Sequence, residues 1–471
     1  MVGQGQIWAG RLEPIAGWLA GVVALIVLAA TTGCDGLGAS APAPNVVLIV
    51  VDTLRADHLG AYGYDEAPTS PHLDALAERG VVFDRAIAAS SLTAPAHASM
   101  MTSRYVRENS VGYLNGGTRL VDTETLASTF SAAGYATAAF VSNNILKSRI
   151  GLDHGFDLYD DDLPEAERNR PYVFERGARE TTARAVEWLA GADERPFFLW
   201  VHYQDPHGPY TPPPELARRF VNPPSKDERA LPILNRQNGL NGIPAYQALP
   251  GLSYLSQYRG LYAGEIRAFD DGLGVLLDAI RRSEGDRATV ILLTADHGES
   301  FGERDYYLAH GHATTPDLVR VPLIVAAPGL EPGRSGALVH HVDVMPTLLD
   351  LAGVVIPEGT RGVPIGRLFR EEEGFPARTV YSDVGNDVSA YRQDGFVRIF
   401  ERGKEVNGST GQWEAYGWAP DGSWTPMALD EAVRAPITHY LDTQTPTADA
   451  SELDAADIER LRALGYVEPD S

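Results

Sequence analysis

Short runs of β-branched apolar residues, most of them ending in a polar residue, are the feature that most limits how this chain can fold. The first run, NVVLIVVD, covers 45–52, and ATVILLTAD at 288–296 has the same form. Comparable runs lie at 136–143, 196–205 and 321–329. Continuous apolar runs of this length are typical of parallel strands that are buried on both faces. The pattern therefore predicts a buried sheet.

Segments with helical periodicity stand between and after these runs, at 70–80, 124–134, 181–191, 260–283 and 341–353. Strands that alternate with helices along a chain favour an α/β fold, because each crossover helix returns the chain to the same edge of the sheet. We therefore predict a doubly wound, mostly parallel sheet. The apolar content of 44% is sufficient for a core of that size.

The N-terminus has the composition of a targeting segment. An apolar run at 15–30 is followed by TTGC, so residues 1–34 are predicted to be a signal peptide of the lipoprotein type, with lipid on Cys34. An uncleaved N-terminal anchor is the alternative, since the run is marginal for crossing a bilayer. Either form predicts an exported protein, tethered to the bacterial cell envelope. Cys34 is the only cysteine, so a disulfide within the chain is excluded.

Composition also predicts the domain boundaries. Small residues and prolines at 35–44 predict a linker, and the alternating pattern places one large domain at 45–355. Short aromatic runs punctuated by glycine predict a small antiparallel subdomain at 356–471, with a closing amphipathic helix at 454–468. The segment 222–255, rich in proline and asparagine, is predicted to be a surface insertion.

The net charge excludes one class of partner. A formal charge of −24 and a pI near 4.9 provide no basic surface to neutralise phosphates, so we expect no nucleic acid ligand. Clustered carboxylates are instead compatible with bound cations.

Polar residues collect where the predicted strands end, which is where open α/β sheets bind their ligands. Asp52 ends the first run, and Asp296 and His297 end the run at 288–296. Two carboxylates and an imidazole suit zinc or manganese, whereas calcium prefers oxygen ligands and is the less favoured ion. We predict a divalent metal site there, with one or two ions.

Thr93 opens the stretch TAPAHASMMT, which is predicted to start a helix. Its simplest role is to cap that helix, but a helix N-terminus also presents N–H groups to an anionic ligand. An unassisted threonine hydroxyl is a poor nucleophile, and a divalent cation bound to it would favour the alkoxide. We therefore predict Thr93 as a nucleophile and a fourth metal ligand.

The chain resembles the sulfatase family of the alkaline phosphatase superfamily, in order and register over about 45–370. The motifs that carry the resemblance are VVLIVVDTLRADHLGAYGY (46–64), SSLTAPAHASMMTSRY (90–105), AAFVSNNILKSRIGLDHGFDLYDD (138–161), VHYQDPHGPYTPP (201–213), TADHGESFGER (294–304) and LVRVPLIVAAPG (318–329). The resemblance implies an alkaline phosphatase/sulfatase-like fold for the large domain and an ester hydrolase activity.

The chain departs from the sulfatase pattern at the nucleophile. Sulfatases use a formylglycine made from cysteine or serine, whereas this chain has Thr93, with His97 in place of the supporting arginine. Thr53 replaces the second acid of the usual Asp-Asp pair. A threonine nucleophile is similar to that of the superfamily's phosphoesterases and transferases, which implies a phosphothreonine intermediate.

The resemblance implies roles for further residues. His207 and His310 are expected to contact the transferred group or to protonate the leaving oxygen. Asp205 and His312 belong to a second metal or to the substrate site, and His97 either lines the site or packs locally. The remaining histidines, including His202, are interpreted as structural or surface groups.

The predicted function is metal-dependent hydrolysis of a sulfate or phosphate ester. The substrate would be a sulfated or phosphorylated small molecule, a glycan or a lipid headgroup. One alternative is a transferase of the phosphoethanolamine or phosphoglycerol type. The other is a catalytically silent protein that binds anionic glycans.

Overall fold

The five apolar runs all form strands, and they lie in one sheet. The computed structural model describes residues 42–109, 111, 119–120, 123–285, 287–366, 377–385, 387–400, 412–418 and 423–443. The predicted signal peptide with Cys34, most of the linker and the predicted closing helix lie outside these residues. The chain divides into Met1–Pro42 and Ala43–Ser471. No described helix has both the length and the hydrophobicity to cross a membrane.

The strands are β1 Asn45–Val51, β2 Val81–Ile87, β3 Ala136–Phe140, β4 Leu158–Asp160, β5 Glu165–Glu167, β6 Arg170–Glu175, β7 Phe197–Tyr203, β8 Thr289–Ala295, β9 Ser300–Phe301, β10 Tyr307–Ala309, β11 Arg320–Val321, β12 Leu323–Ala326, β13 Gly333–His340, β14 Val380–Asp383, β15 Asp387–Arg392, β16 Gly395–Phe400, β17 Gln412–Trp418 and β18 Trp424–Pro426.

The α-helices are α1 Pro71–Ala77, α2 Thr93–Thr102, α3 Leu126–Ala132, α4 Ala178–Ala190, α5 Pro214–Phe220, α6 Leu255–Ser283, α7 Pro316–Val319, α8 Val344–Ala352 and α9 Glu431–Thr443. Short 3-10 helices lie at Ala56–His58, Gly60–Tyr62, Asn144–Leu146, Ser148–Ile150, Ala245–Gln247, Glu303–Asp305 and His341–Asp343. The predicted insertion at 222–255 is irregular apart from one of these turns and the first residue of α6.

Within the described residues the main sheet has nine strands, in the order β11-β2-β12-β8-β1-β7-β3-β4 with β13 also paired to β2. Strands β8, β1, β7, β3 and β4 are parallel neighbours, and β13 runs parallel to β2. Strands β11 and β12 run antiparallel to β2, and β12 also runs antiparallel to β8. The sheet is therefore mixed and mostly parallel, which confirms the predicted fold class.

The central strand β1 shows why the apolar runs predict the sheet well. All seven of its residues are buried. Because alternate side chains of a strand point to opposite faces, this burial requires cover on both faces. By contrast, β2 carries Asp84 and Arg85 in its middle and β13 begins GRSG. Neither strand has a continuous apolar run, so the pattern of apolar runs does not predict either of them.

The second sheet is the predicted antiparallel one. It has five strands in the order β14-β15-β16-β17-β18, and α9 packs on it through Val433, Ile437 and Tyr440. This sheet also holds a loop of the main domain, because the Tyr391 hydroxyl donates to the Thr314 carbonyl at 2.7 Å. The domain boundary between 355 and 356 stays a prediction.

Candidate active site

The site lies at the carboxyl ends of β1 and β8, which are adjacent parallel strands. Val51 pairs with Ala295, so the residues that follow them, Asp52 and Asp296, leave the sheet side by side. Both carboxylates are completely buried. The register of two strands, more than 240 residues apart in the chain, thus places two acids against each other.

Thr93 is the first residue of α2 and is 2% exposed. The residue that caps the helix is Leu92, in extended backbone, so the capping role considered for Thr93 is not the one it has. Its Oγ1 lies 3.3 Å from His297 Nε2. The structure therefore brings the predicted nucleophile to the imidazole that was predicted to share its metal.

Each carboxylate accepts hydrogen bonds through one of its oxygens, and its other oxygen has no hydrogen-bond partner among the described residues. Asp296 Oδ1 accepts from the backbone N–H of Thr53 at 3.1 Å and of His297 at 2.7 Å. Asp52 Oδ2 accepts from Asn143 Nδ2 at 2.7 Å. Asp52 Oδ1 and Asp296 Oδ2 have no hydrogen-bond partner among the described residues. Buried polar atoms normally have a partner, so these two oxygens indicate a missing ligand.

His297 presents a lone pair to the same space. Its Nδ1 lies 3.0 Å from the Gly298 carbonyl, which can only accept, so the proton is on Nδ1. Nε2 is then an acceptor, 3.3 Å from Thr93 Oγ1, 3.5 Å from Asp296 Oδ2 and 3.9 Å from Asp52 Oδ1. A Cβ at Gly298 would lie 2.2 Å from the Asp317 carbonyl, so this turn requires glycine.

The electrostatics of the site favour a cation. Burial and then the neighbouring Asp296 raise the pKa of Asp52 well above its usual value, and burial raises the pKa of Asp296 to about 7. Burial also lowers the pKa of His297 well below its usual value. An imidazole that resists protonation cannot neutralise two buried carboxylates. Asp52, Asp296 and His297 form a group with ligand atoms within 4.8 Å of one another, and a cation fits it.

His97 and His202 form a second cluster with Asp296 under the first. His97 lies one helical turn after Thr93 and contacts the Thr93 carbonyl through Nδ1 at 2.8 Å. His202 Nε2 lies 3.7 Å from Asp52 Oδ2 and has no hydrogen-bond partner among the described residues. The interpretation of His202 as a structural or surface group did not include its place beside a predicted ligand.

A sequence signal for His202 existed. It pairs with Val50 across the parallel β1–β7 ladder, and both strands had been predicted. Asn143 was also missed as a functional residue, although it lies inside a family-like motif, because its contact with Asp52 spans 91 residues. Its backbone position right after β3 places it at the same edge of the sheet.

His207 and His310 approach the site from a different side. The ring of His310 has its centroid 4.6 Å from that of His297 and 5.2 Å from that of His207. His310 Nδ1 lies 3.0 Å from Glu299 Oε1, and His207 Nδ1 lies 3.1 Å from Gln204 Nε2. The two predicted acid or anion-binding histidines are thus neighbours beside the metal group.

Asp205 and His312 are not part of either ligand cluster. Asp205 Oδ2 accepts from the backbone N–H of Ala178 at 2.7 Å, at the start of α4. His312 stacks on Tyr306 with centroids 3.6 Å apart, and its Nε2 lies 3.4 Å from Ser300 Oγ. The contacts of these two residues lie outside the group of Asp52, Asp296 and His297, and their predicted roles stay predictions.

A mostly parallel sheet thus carries two acids and a histidine at its carboxyl edge, close to the hydroxyl of the first residue of a helix, which is the arrangement that the sequence predicts. Comparison with known proteins gives the family. The sulfatase family model matches residues 44–354, so the chain belongs to the sulfatase family.

Relatives of known activity cover most of the chain. An arylsulfatase of Clostridium perfringens is 26% identical over 77% of this chain and 87% of its own. An N-acetylglucosamine-6-O-sulfatase of Bacteroides thetaiotaomicron is 24% identical over 71% and 72%. The phosphonate monoester hydrolase of Agrobacterium radiobacter superposes with a TM-score of 0.64 at 21% identity, over 85% of this chain and 95% of the other.

Proposed function

We propose that the protein hydrolyses a sulfate or phosphate monoester through the hydroxyl of Thr93. The observation that carries the proposal is the 3.3 Å contact between Thr93 Oγ1 and His297 Nε2, beside two carboxylate oxygens that have no hydrogen-bond partner in the described part of the chain. The Thr93 hydroxyl therefore lies beside the candidate metal-ligand atoms of Asp52, Asp296 and His297. A silent binding protein would have no reason to keep these buried charges together.

The donor set would hold one divalent cation with Asp52, Thr93, Asp296 and His297 as ligands. A nitrogen ligand among three oxygen ligands favours zinc or manganese over calcium. When bound, the cation would lower the pKa of the Thr93 hydroxyl and neutralise charge on the transferred group. Asn143 orients Asp52 by occupying its other oxygen, and the Gly298 carbonyl fixes the His297 tautomer.

The two-step chemistry favours a phosphate ester. Thr93 Oγ1 attacks the central atom and the alcohol departs, so the product is an ester of threonine. A threonyl ester lacks the aldehyde hydrate by which formylglycine expels sulfate, so water must attack the central atom a second time. Phosphoryl groups accept such sequential displacements readily. The sulfatases and the phosphonate monoester hydrolase among the similar proteins support the broader class of sulfate and phosphate esters.

The natural substrate is proposed to be a small molecule, a glycan or a lipid headgroup that carries such an ester. The N-acetylglucosamine-6-O-sulfatase relative supports the glycan. The transferase alternative shares the first step. In its second step an acceptor alcohol replaces water, so the two reactions differ only in the product.

Turnover of chromogenic esters tests this function. Purified protein with zinc, manganese or calcium is given 4-nitrophenyl phosphate, bis(4-nitrophenyl) phosphate and 4-nitrophenyl sulfate. We expect release of 4-nitrophenol from a phosphate ester with zinc or manganese. Release from the sulfate alone would reassign the substrate class, and no release from any ester with any metal would contradict the proposed hydrolysis.

We also propose that the protein is exported and held at the bacterial cell envelope through lipid on Cys34. The sequence TTGC after an apolar run supports it. Labelling of cells with radioactive palmitate should mark the wild-type protein and leave Cys34→Ala unmarked. Equal labelling of the two proteins would exclude Cys34 as the lipidated residue.

A further inference from the structure

We propose that Thr314 is a positioning residue of the candidate active site, and that one strand of the antiparallel sheet, β15, fixes it in place. Through Thr314 the sheet sets where the loop 310–315 lies relative to Thr93. This role rests on the proposed ester hydrolysis and goes beyond it, because it gives the second sheet a part in the reaction.

One face of β15 contacts every polar group of Thr314. Asp387 Oδ1 accepts from the Thr314 backbone N–H at 3.2 Å and from its hydroxyl at 2.6 Å. Ser389 Oγ lies 2.7 Å from the Thr314 hydroxyl and donates to the Thr314 carbonyl at 3.1 Å. The Tyr391 hydroxyl donates to the same carbonyl at 2.7 Å. Because Asp387, Ser389 and Tyr391 alternate along the strand, they form a socket on one face of it.

The socket is itself held by a buried ion pair. The Arg398 guanidinium on β16 donates to both oxygens of Asp387, at 3.0 and 2.9 Å. Thr314, Asp387, Ser389 and Arg398 are all buried. A buried polar network in which the members satisfy one another is rigid, because any displacement leaves a polar group without a partner. Thr314 is therefore fixed relative to the antiparallel sheet.

The residues before Thr314 pack against the segment that leads to the nucleophile. The Ser91 hydroxyl donates to the Ala313 carbonyl at 2.6 Å. Gly311 has a φ of 75°, and a Cβ at this position would lie 2.6 Å from Leu92 Cδ2. Only glycine permits this left-handed backbone and this close approach without strain. Leu92 directly precedes Thr93, so the loop lies between the socket and the start of α2.

The same loop carries His310, four residues before Thr314. The His310 ring centroid is 4.6 Å from that of His297, and His297 Nε2 lies 3.3 Å from Thr93 Oγ1. A loop that β15 fixes at its far end thus places His310 beside the nucleophile. A misplacement of about 1 Å in such a group can cost about 100-fold in rate, because reacting groups act only at the correct distance.

The metal group is positioned in a different way. Asp52, Asp296 and His297 follow β1 and β8, and the register of those two strands sets them side by side. No hydrogen bond among the described residues joins Thr314 to any of the three. Loss of the socket should therefore change the rate of the reaction and leave the affinity for the metal unchanged. This separation distinguishes a positioning role from a merely structural one.

Thr314→Val tests the proposal, because valine has nearly the same shape and lacks the hydroxyl. With the 4-nitrophenyl ester that the wild type cleaves fastest, we expect kcat to fall by about 10–100-fold. Calorimetric titration with zinc or manganese should give the wild-type Kd. Thr314→Ser keeps the hydroxyl, so it should restore most of the wild-type kcat.

Thr347→Val is the matched control. Thr347 is buried in α8, and its hydroxyl accepts from the Ile365 backbone N–H at 3.0 Å. The substitution removes the same group from another buried site, so we expect lower stability and the wild-type kcat. If Thr314→Val does not fold, Tyr391→Phe removes only the donor to the Thr314 carbonyl, and it should lower kcat by a smaller factor at unchanged metal affinity.

Wild-type kcat in both Thr314→Val and Tyr391→Phe would overturn the proposal. A loss of kcat with an equal loss of metal affinity would overturn it as well, since Thr314 would then only stabilise the fold, and so would an equal loss of kcat in Thr347→Val. A wild-type protein that cleaves none of the esters would instead contradict the proposed function, and this inference would fail with it.

Discussion

Two regions of the protein contain buried acidic residues, and the partners of these residues differ between the two regions. In the antiparallel sheet, Asp387 faces Arg398 at 2.9 and 3.0 Å and also accepts the Thr314 hydroxyl at 2.6 Å. At the edge of the main sheet, Asp52 and Asp296 face each other, and each leaves an oxygen without a partner among the described residues. The acid of the first region has a cationic partner within the chain, whereas the two acids of the second region have an acid as neighbour, and we propose that a cation binds there.

This difference in partners indicates which of the two regions has the capacity to bind a ligand. A buried ion pair with all its hydrogen bonds made has no capacity left for a ligand. A buried pair of like charges has a high free energy, and a bound cation lowers that free energy. The two regions are also connected, because Thr314, which the antiparallel sheet holds, follows the His310–His312 stretch of the site loop.

Removal of the Thr93 hydroxyl should produce the largest effect. We expect Thr93→Ala to lower kcat by about 10⁴-fold or more, the scale seen when a nucleophile is removed. Binding of the metal should weaken but persist, since Asp52, Asp296 and His297 remain. Steady-state kinetics and a metal titration by calorimetry measure the two quantities. Thr93→Ser is the matched control and should retain activity; full activity in the alanine variant would refute the nucleophile.

Neutralisation of one acid in each region should have opposite effects on stability. Asp387→Asn leaves Arg398 buried without its main partner, so we expect the free energy of unfolding to fall by about 3–5 kcal/mol. Asp52→Asn removes the charge of one of two neighbouring buried acids, so the free energy of unfolding of the metal-free protein should rise. Chemical denaturation in the presence of a chelator compares them. If both variants lost stability equally, the contrast between the regions would be wrong.

Metal should stabilise the wild-type protein and not its ligand variants. At a free zinc or manganese concentration 100 times Kd, we expect a gain of about 2.7 kcal/mol in the free energy of unfolding. The gain should disappear in Asp296→Asn and persist in Asp387→Asn. Thermal unfolding with and without each ion measures it, and an equal gain in all three proteins would place the ion outside the proposed site.

The smallest expected effect concerns Glu265, a second buried acid with an acidic neighbour. Burial and then the neighbouring Asp205 raise the pKa of Glu265 well above its usual 4.5. A raised pKa in the folded protein contributes stability at low pH, which is lost as the pH rises through that raised value. Glu265→Gln should therefore lose less stability than the wild type between pH 5 and pH 9, by denaturation at each pH. Parallel curves for the two proteins would contradict the raised pKa.

The sequence predicted those strands whose own composition indicates that they are buried. The runs that became β1, β3, β7, β8 and β12 are mostly apolar, because a strand that is covered on both faces has no side exposed to water. Strands β2 and β13 were not predictable in this way, since their pairing with each other and with β11 and β12 is decided by partners far along the chain.

The residues of the candidate site also fall into those that the sequence indicated and those that it did not. Asp52, Asp296 and His297 could be chosen because each follows an apolar run, and Thr93 because of its place before a proline in a helix start. The sequence could not indicate that Asn143 and His202 would join them, nor that Glu299 would contact His310. These contacts are made between side chains, and their geometry depends on strand register and loop path.

By itself the sequence determined the alternation of helices with the apolar strands, the acidity and the residue types at the ends of those strands, since these depend on local pattern and composition. The tertiary structure alone decided which of those residues meet. It set two acids side by side, each with one oxygen that has no hydrogen-bond partner among the described residues, and it gave one histidine a carboxylate and its neighbour an amide. The physical reason is that a charge's free energy depends on what surrounds it, and those surroundings come from distant parts of the chain.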